Sequence, residues 1–201
     1  TMSEMHRAIL DTSVKLVAEQ GVRGVSFREV ARRAGVSHQA PYHHFGNLQG
    51  ILRAITREGF SKLTASMRAA AHEAGPEPLD ALIAAGVAYV TFAMDHLGYF
   101  RVMFEPALVD IHAEDEPIEE AAETYTTLQT LTGAAWDAGY GRSLQRDIMA
   151  HLCWATVHGL AILIFEGILA SKGVTPEEQE QHTQSVVAAL GSLLDADRRL
   201  G

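Results

Sequence analysis

The stretch Ser37-His38-Gln39-Ala40-Pro41-Tyr42-His43-His44-Phe45-Gly46-Asn47 gathers hydrogen-bonding side chains of a kind that can read a nucleic acid. A glutamine carboxamide can bond adenine in two places at once. An imidazole can donate to guanine or to a phosphate, and a phenol can reach a phosphate with its hydroxyl. Ala40 could touch a thymine methyl. A solvated helix in any small bundle would carry a similar mixture, so residue type alone leaves both readings open.

Such side chains need a frame, and the preceding residues supply one. Phe27, Val30, Ala31 and Ala34 fall at i, i+3, i+4 and i+7, the pattern of one buried helix face. Ser26 stands where its hydroxyl can accept from an orphan backbone N–H, and Gly35 can take the left-handed conformation that ends a helix. Ser37 is a second N-cap candidate, which predicts a second helix over roughly Ser37 to His44. The two helices with a tight glycine turn between them make a helix-turn-helix. With Ser37 as cap, Pro41 would be the fourth helical residue, removing one donor and leaving a short, stiff helix. Arg28 lies in the first turn of the first helix, on the side away from Phe27; Arg32 and Arg33 fit a solvated face equally well.

The run Gly21-Val22-Arg23-Gly24-Val25-Ser26-Phe27-Arg28-Glu29-Val30-Ala31-Arg32-Arg33-Ala34-Gly35-Val36-Ser37, continued by Tyr42-His43-His44-Phe45, resembles the amino-terminal domain of the TetR family of bacterial transcriptional regulators. The resemblance implies an all-α fold: a three-helix DNA-binding head followed by a larger ligand-binding and dimerising body, about nine helices in all. It implies that Arg28 reaches a base or phosphate. The family usually places a lysine three residues after the phenylalanine, and here that place is Leu48. One phosphate contact is therefore missing, and Asn47, as cap of the next helix, is expected to help replace it through backbone N–H groups. The expected DNA-binding set is Arg28, Ser37, His38, Gln39, Ala40, Tyr42, His43, His44 and Asn47.

Net charge is −9, the wrong sign for such a protein until the chain is divided. Residues 1–60 hold eight Lys/Arg against five acids, a net +3, so the remainder carries −12. A basic head and an acidic body suit a protein of which one end meets phosphate. With a head of only +3, two heads on one duplex are needed for useful affinity. The lone Cys153 excludes an intrachain disulfide framework and fits a reducing cytoplasm. No leader-like apolar segment opens the chain. No phosphate loop, zincin motif or nucleophile elbow appears, and no His/acid spacing matches a metal cage, so neither an enzyme, a cofactor nor a metal is expected.

The remaining pattern is helical throughout. The expected domains are residues 1–47 as the head, a long connecting helix over 48–72, and 73–201 as the body. Asp110 to Pro117, containing Glu114-Asp115-Glu116, reads as a solvated acidic loop. One long helix is expected from Ser143 to about Ser171. His151, His158 and Glu166 interrupt its apolar run, so a membrane span is not expected. Tyr89, Phe92, Phe100, Met103, Phe104, Tyr125, Trp136, Trp154 and His158 are candidates to line a pocket, each being equally a candidate for the core. Two consecutive helices too apolar for a surface predict self-association, with Leu163, Glu166, Val186, Leu190, Leu193 and Leu194 at the interface. The resemblance agrees, since that family pairs its last two long helices into a four-helix bundle. Trp154-Ala155-Thr156-Val157-His158-Gly159 further resembles a body subtype marked by Trp, His and Gly. The reading implied is a cytoplasmic homodimeric repressor, released from a palindromic operator by a small, largely apolar ligand. The alternative is a dimeric small-molecule- or metal-binding protein with a vestigial head.

Overall fold

A computed structural model of the chain describes residues 3–113 and 116–200, and no strand occurs among them. The helices are α1 (Glu4–Gln20), α2 (Phe27–Ala34), α3 (Ala40–Phe45), α4 (Leu48–Glu73), α5 (Pro78–Asp95), α6 (Leu97–Met103), α7 (Glu119–Asp137), α8 (Arg146–Phe165), α9 (Ile168–Ser171) and α10 (Pro176–Leu200). The all-α expectation holds, with ten helices instead of about nine. The extra one arises because the expected helix over 143–171 stops at Phe165, turns through Gly167 in a left-handed conformation, and restarts as the short α9.

The chain packs as two compact units, Thr1–Ser61 with His96–Ala122, and Lys62–Asp95 with Glu123–Gly201. These divide the chain elsewhere than the expected boundaries, because α6 and the segment after it pack with the first helices. Gly98 makes this possible: a Cβ there would stand 2.3 Å from the Val14 carbonyl oxygen, so only glycine lets α6 lie this close to α1. In the first unit Ile9, Leu16, Val17, Val30, Ile51 and Ile55 are fully buried. Each such side chain contributes about 1.5–3 kcal/mol relative to exposure. Tyr99, Phe100, Val102 and Met103 of α6 join this interior, and Phe104 packs against Phe60 and Phe100.

A polar knot fastens three helices of this unit. The Arg7 guanidinium donates to both Glu58 oxygens at 2.8 Å and to both oxygens of Asp11, while the Tyr99 hydroxyl donates to Glu58 at 2.8 Å. Burial, reinforced by Glu58, pushes the Tyr99 phenol well above its ordinary pKa. The acidic loop is not simply solvated, as expected, although Glu114 and Asp115 lie outside the described residues. Glu116 pairs with Arg53 at 3.1 Å and Arg57 at 3.5 Å. Arg53 also donates to the Asp110 and Glu116 carbonyls, and Gln49 donates to the Leu108 carbonyl at 2.7 Å. Two guanidiniums facing one carboxylate are reason enough for the segment to fold back on α4.

In the second unit α5 packs against α8 and α10. Leu82, Ala135, Tyr140, Met149, Cys153 and Leu194 form one core cluster. Burial raises the Cys153 thiol to about 11, so it packs there as a neutral apolar group. By length and composition α5 and α8 could each cross a membrane. Here each turns part of its apolar surface inward, α5 through Ala85, Val90 and Phe92, α8 through Met149, Leu160 and Ile164. Arg198 donates to the Tyr140 oxygen at 2.6 Å and the Tyr140 hydroxyl donates to Glu77 at 2.8 Å, tying the end of α10 to the turn before α5.

Candidate nucleic-acid interface

Ser26 caps α2, its hydroxyl accepting from the Glu29 N–H at 3.3 Å. Gly35 closes the helix in the left-handed conformation (φ 67°, ψ 28°), as the spacing predicted. The next helix starts later than expected. Ser37 is not its cap; the Ser37 carbonyl accepts from the Ala40 N–H at 3.0 Å in a turn, and Gln39 stands at the N-cap position. Pro41 therefore falls in the first turn of α3, where its missing N–H would have had no helical partner anyway. The helix tolerates it without a kink.

The two sides of this segment are distinct. Ala40 and Pro41 are buried, and Phe45 is half-buried. Ser37, His38, Gln39, Tyr42 and His43 are exposed. Ala40, expected at a thymine methyl, is only 6% exposed and belongs to the packing side: one helical turn cannot present every residue outward. Tyr42 is 48% exposed while its ring packs edge-on against Phe27, 4.5 Å between centroids. Half-buried His44 faces His6 of α1 at 5.6 Å, and His6 lies 4.3 Å from the Phe45 ring. Burial, then the charge of His44 and that of Arg7, lower the pKa of His6. His6 was not among the expected site residues. Its position one turn before Leu10, on the apolar side of α1, was the available signal.

The nearby guanidiniums differ in availability. Glu29 accepts from Arg32 at 2.7 and 2.8 Å and from Arg33 at 2.8 Å, and Arg33 also reaches Glu19. These bonds draw the Glu29 carboxyl down to about 2. Arg28 is exposed and makes no ion pair or hydrogen bond among the described residues. Asn47 caps α4 as expected, its side-chain oxygen accepting from the Gly50 N–H at 3.0 Å. Leu48, in the place of the expected lysine, is 37% exposed.

The candidate pocket residues do not form one group. Phe100, Met103 and Phe104 belong to the first unit, the others to the second. Trp136 is engaged elsewhere: its indole N–H donates to the Leu144 carbonyl at 3.1 Å, and Arg142 covers its face at 4.1 Å. Phe92 is buried. Tyr89, Tyr125, Trp154 and His158 do come together. The Tyr89 oxygen lies 2.8 Å from His158 Nδ1, with the Trp154 indole as a second partner, and the Tyr125 hydroxyl lies 3.1 Å from His151 Nε2. Burial raises the pKa of the Tyr89 phenol and lowers that of His158, and the tautomer of the ring sets which of the two donates. Trp154 remains 38% exposed. His151, read from the sequence only as an interruption of the apolar run, joins this group through Tyr125.

On the other side of α8 an open apolar cavity of about 430 Å³ runs between α8 and α10, lined among others by Leu152, Val186, Leu190 and Leu193. Leu193 is 70% exposed, Leu152 41% and Leu163 38%. Glu166 is exposed; Val186 and Leu190 are half-buried. Leu194 is a correction to the expected interface: at 4% exposure it belongs to the core cluster and reaches only the floor of the cavity.

Comparison with known proteins agrees with this geometry. Residues 9–55 match the family described as bacterial regulatory proteins, tetR family, and residues 82–190, more than half the chain, match the tetracyclin repressor-like C-terminal domain. The uncharacterized HTH-type transcriptional regulator YobS of Bacillus subtilis (strain 168) is 25% identical over 79% of this chain and 78% of its own. The HTH-type transcriptional regulator BetI of Rhizobium meliloti (strain 1021) is 36% identical, over 32% of this chain and 34% of its own. A protein of unknown function from Rhodococcus sp. RHA1 superposes with a TM-score of 0.76 at 29% identity, over 98% of this chain and 95% of that one. The TetR family transcriptional regulator PfmR from Thermus thermophilus shares the fold, with a TM-score of 0.73 at 18% identity, over 92% of this chain and 97% of that one.

Proposed function

Since the chain belongs to the TetR family and is a DNA-binding, helix-turn-helix regulator of transcription, we propose that it is a homodimeric repressor whose α3 reads a palindromic operator. Two copies of α3 enter successive major grooves about 34–36 Å apart. Gln39 and His43 meet base edges. Tyr42, His38 and Arg28 take phosphates, with the α4 amino terminus behind Asn47 replacing the missing lysine. The observation that carries this reading is the division of α3: Ser37, His38, Gln39, Tyr42 and His43 outward, Ala40 and Pro41 inward, with unpaired Arg28 alongside.

The second copy docks through α8 and α10. The exposed apolar residues Leu152, Leu163 and Leu193 and the cavity between these helices support that choice. A small, largely apolar ligand bound by the second unit, with Tyr89, Tyr125, Trp154 and His158 as contacts, favours a state of the dimer with different head spacing and so releases the operator. Its effect cannot exceed its differential affinity for the two states. Selection from random duplexes at low salt tests the DNA reading, and enrichment of a palindrome is the expected result. Failure to enrich any palindrome favours the alternative, a dimeric small-molecule- or metal-binding protein with a vestigial head. Titration of hydrophobic compounds against the selected duplex tests the ligand step.

A further inference from the structure

We propose that operator binding is proton-linked: His38 and His43 meet the duplex as imidazolium cations, so acidification tightens the complex. This builds on the reading of α3 as the recognition helix and adds to it a regulation of the same surface.

The charge inventory of the surface leads here. From Ala34 to Leu52 the chain has no Lys and no Arg, and from Val30 to Arg57 it has no Asp and no Glu. The only groups in the reading segment that can turn cationic are His38, His43 and His44. The permanent cations around it are mostly committed: Arg32 and Arg33 to Glu29 and Glu19, Arg53 and Arg57 to Glu116, Arg7 to Asp11 and Glu58. A duplex offers a dense row of phosphates, and a surface that neutralises few of them binds weakly. Protonated imidazoles are the one reserve of positive charge that this segment holds.

Position decides which imidazoles contribute. His38 and His43 are exposed, and among the described residues neither has a carboxylate partner. Helices α1 and α2 pack on α3 and bring charged groups of their own. On α1 these are Glu4, His6, Arg7, Asp11, Lys15 and Glu19; on α2 they are Arg28, Glu29, Arg32 and Arg33. Asp11, Glu19 and Glu29 are held by arginines, and among the described residues no ion pair joins Glu4 to either imidazole. His44 differs, being half-buried against His6, whose own pKa is lowered by burial, and it belongs to the packing between α1 and α3. The response therefore comes from the outward pair.

The sign follows from linkage. A phosphate next to His38, and an acceptor atom on a base edge next to His43, favour the charged form of the imidazole, so protons are taken up on binding. Affinity then grows as pH falls through the imidazole range around 6.5. A rise of about one unit per imidazole tightens binding by up to about tenfold for each one, and a dimer has two heads.

The experiment uses the full-length protein and the duplex enriched from a random pool, with the dissociation constant followed by fluorescence anisotropy between about pH 8.5 and about pH 6. Binding is expected to tighten by at least about tenfold on acidification. The log–log slope against salt should be steeper at the acid end, by about 0.9 for each added phosphate contact. In the double variant His38→Gln/His43→Gln the pH response should shrink to under about twofold and the extra salt slope should vanish. The single variants should each keep part of the response. His72→Gln, on the exposed side of α4, should respond as the parent does. A parent complex with no pH response, or a double variant that responds as fully as the parent, overturns the proposal and leaves α3 as the recognition helix. Absence of binding to any duplex at any pH or salt sinks the recognition-helix reading itself, and this proposal with it.

Discussion

Tyr42 has two separable parts, a ring packed edge-on against Phe27 and a hydroxyl on a residue that is 48% exposed. Removing the whole side chain would confuse packing with recognition. Tyr42→Phe keeps the ring contact, and operator affinity should fall by about 1–3 kcal/mol while the melting curve stays within about 0.5 kcal/mol of the parent. Gln39→Ala, an exposed change, should do the same; loss of folding in either variant would assign these residues to structure. His6 supplies a pH test of the α1–α3 contact. Its folded pKa lies below the ordinary imidazole value, so the native state prefers the neutral ring. The contribution of that preference is complete above the ordinary range near 6.5 and is lost as pH falls through the depressed folded value. His6→Gln should therefore flatten the acid limb of a stability-versus-pH curve measured by denaturant, and an unchanged limb would remove His6 from the account. The polar side of α3 was legible at this scale because His, Gln and Tyr announce their chemistry by type, and the fold leaves His38, Gln39, Tyr42 and His43 exposed. Ala40 was misjudged and His6 missed for the complementary reason: orientation and support are set by packing, which type does not reveal.

The element α2 could be placed from its caps alone, since Ser26 and Gly35 satisfy orphan groups in ways few other residues can. Ser37 offered the same signal for α3 and was misleading. The backbone spends Ser37 on a turn, and α3 begins only where Pro41 can sit in its first turn without a lost bond. Gly167 was hidden for a similar reason: a lone glycine inside an apolar helical pattern is usually tolerated, so the break between α8 and α9 leaves little trace in the pattern. Nor could periodicity assign α6 to the first unit, because that depends on an approach of backbones. Gly98 is the residue on which that approach depends. In Gly98→Ala the new Cβ would meet the Val14 carbonyl oxygen at 2.3 Å, so α6 must retreat from α1. The expected cost is about 1–3 kcal/mol in chemical denaturation, typical of overpacking. Native stability in this variant would mean that α1 and α6 are not held this closely.

Over the whole molecule, charge and apolar surface are segregated. The first sixty residues carry a net +3, whereas the second unit, residues 62–95 and 123–201, holds seven Lys/Arg against thirteen acids, a net −6, so two copies joined through their second units bring like charges together. Only apolar burial can offset that repulsion, and added salt should strengthen the dimer by screening it. Leu193 is the residue with which to test this pairing. It is 70% exposed beside the cavity between α8 and α10, whereas Leu194 is 4% exposed and Leu190 packs against the core cluster, so changes at those positions would damage the protomer itself. Leu193→Glu should leave the helical content of the protomer intact. In the dimer it forfeits about 1.5–3 kcal/mol of burial per copy and adds a carboxylate with no partner to an apolar contact. Sedimentation at micromolar protein should then show a monomer. Operator binding should collapse with it, because a single head of +3 has too little charge to hold a duplex alone. If the variant remains a dimer, the pairing surface lies away from Leu193, and the spacing of the two copies of α3 must be set by other residues.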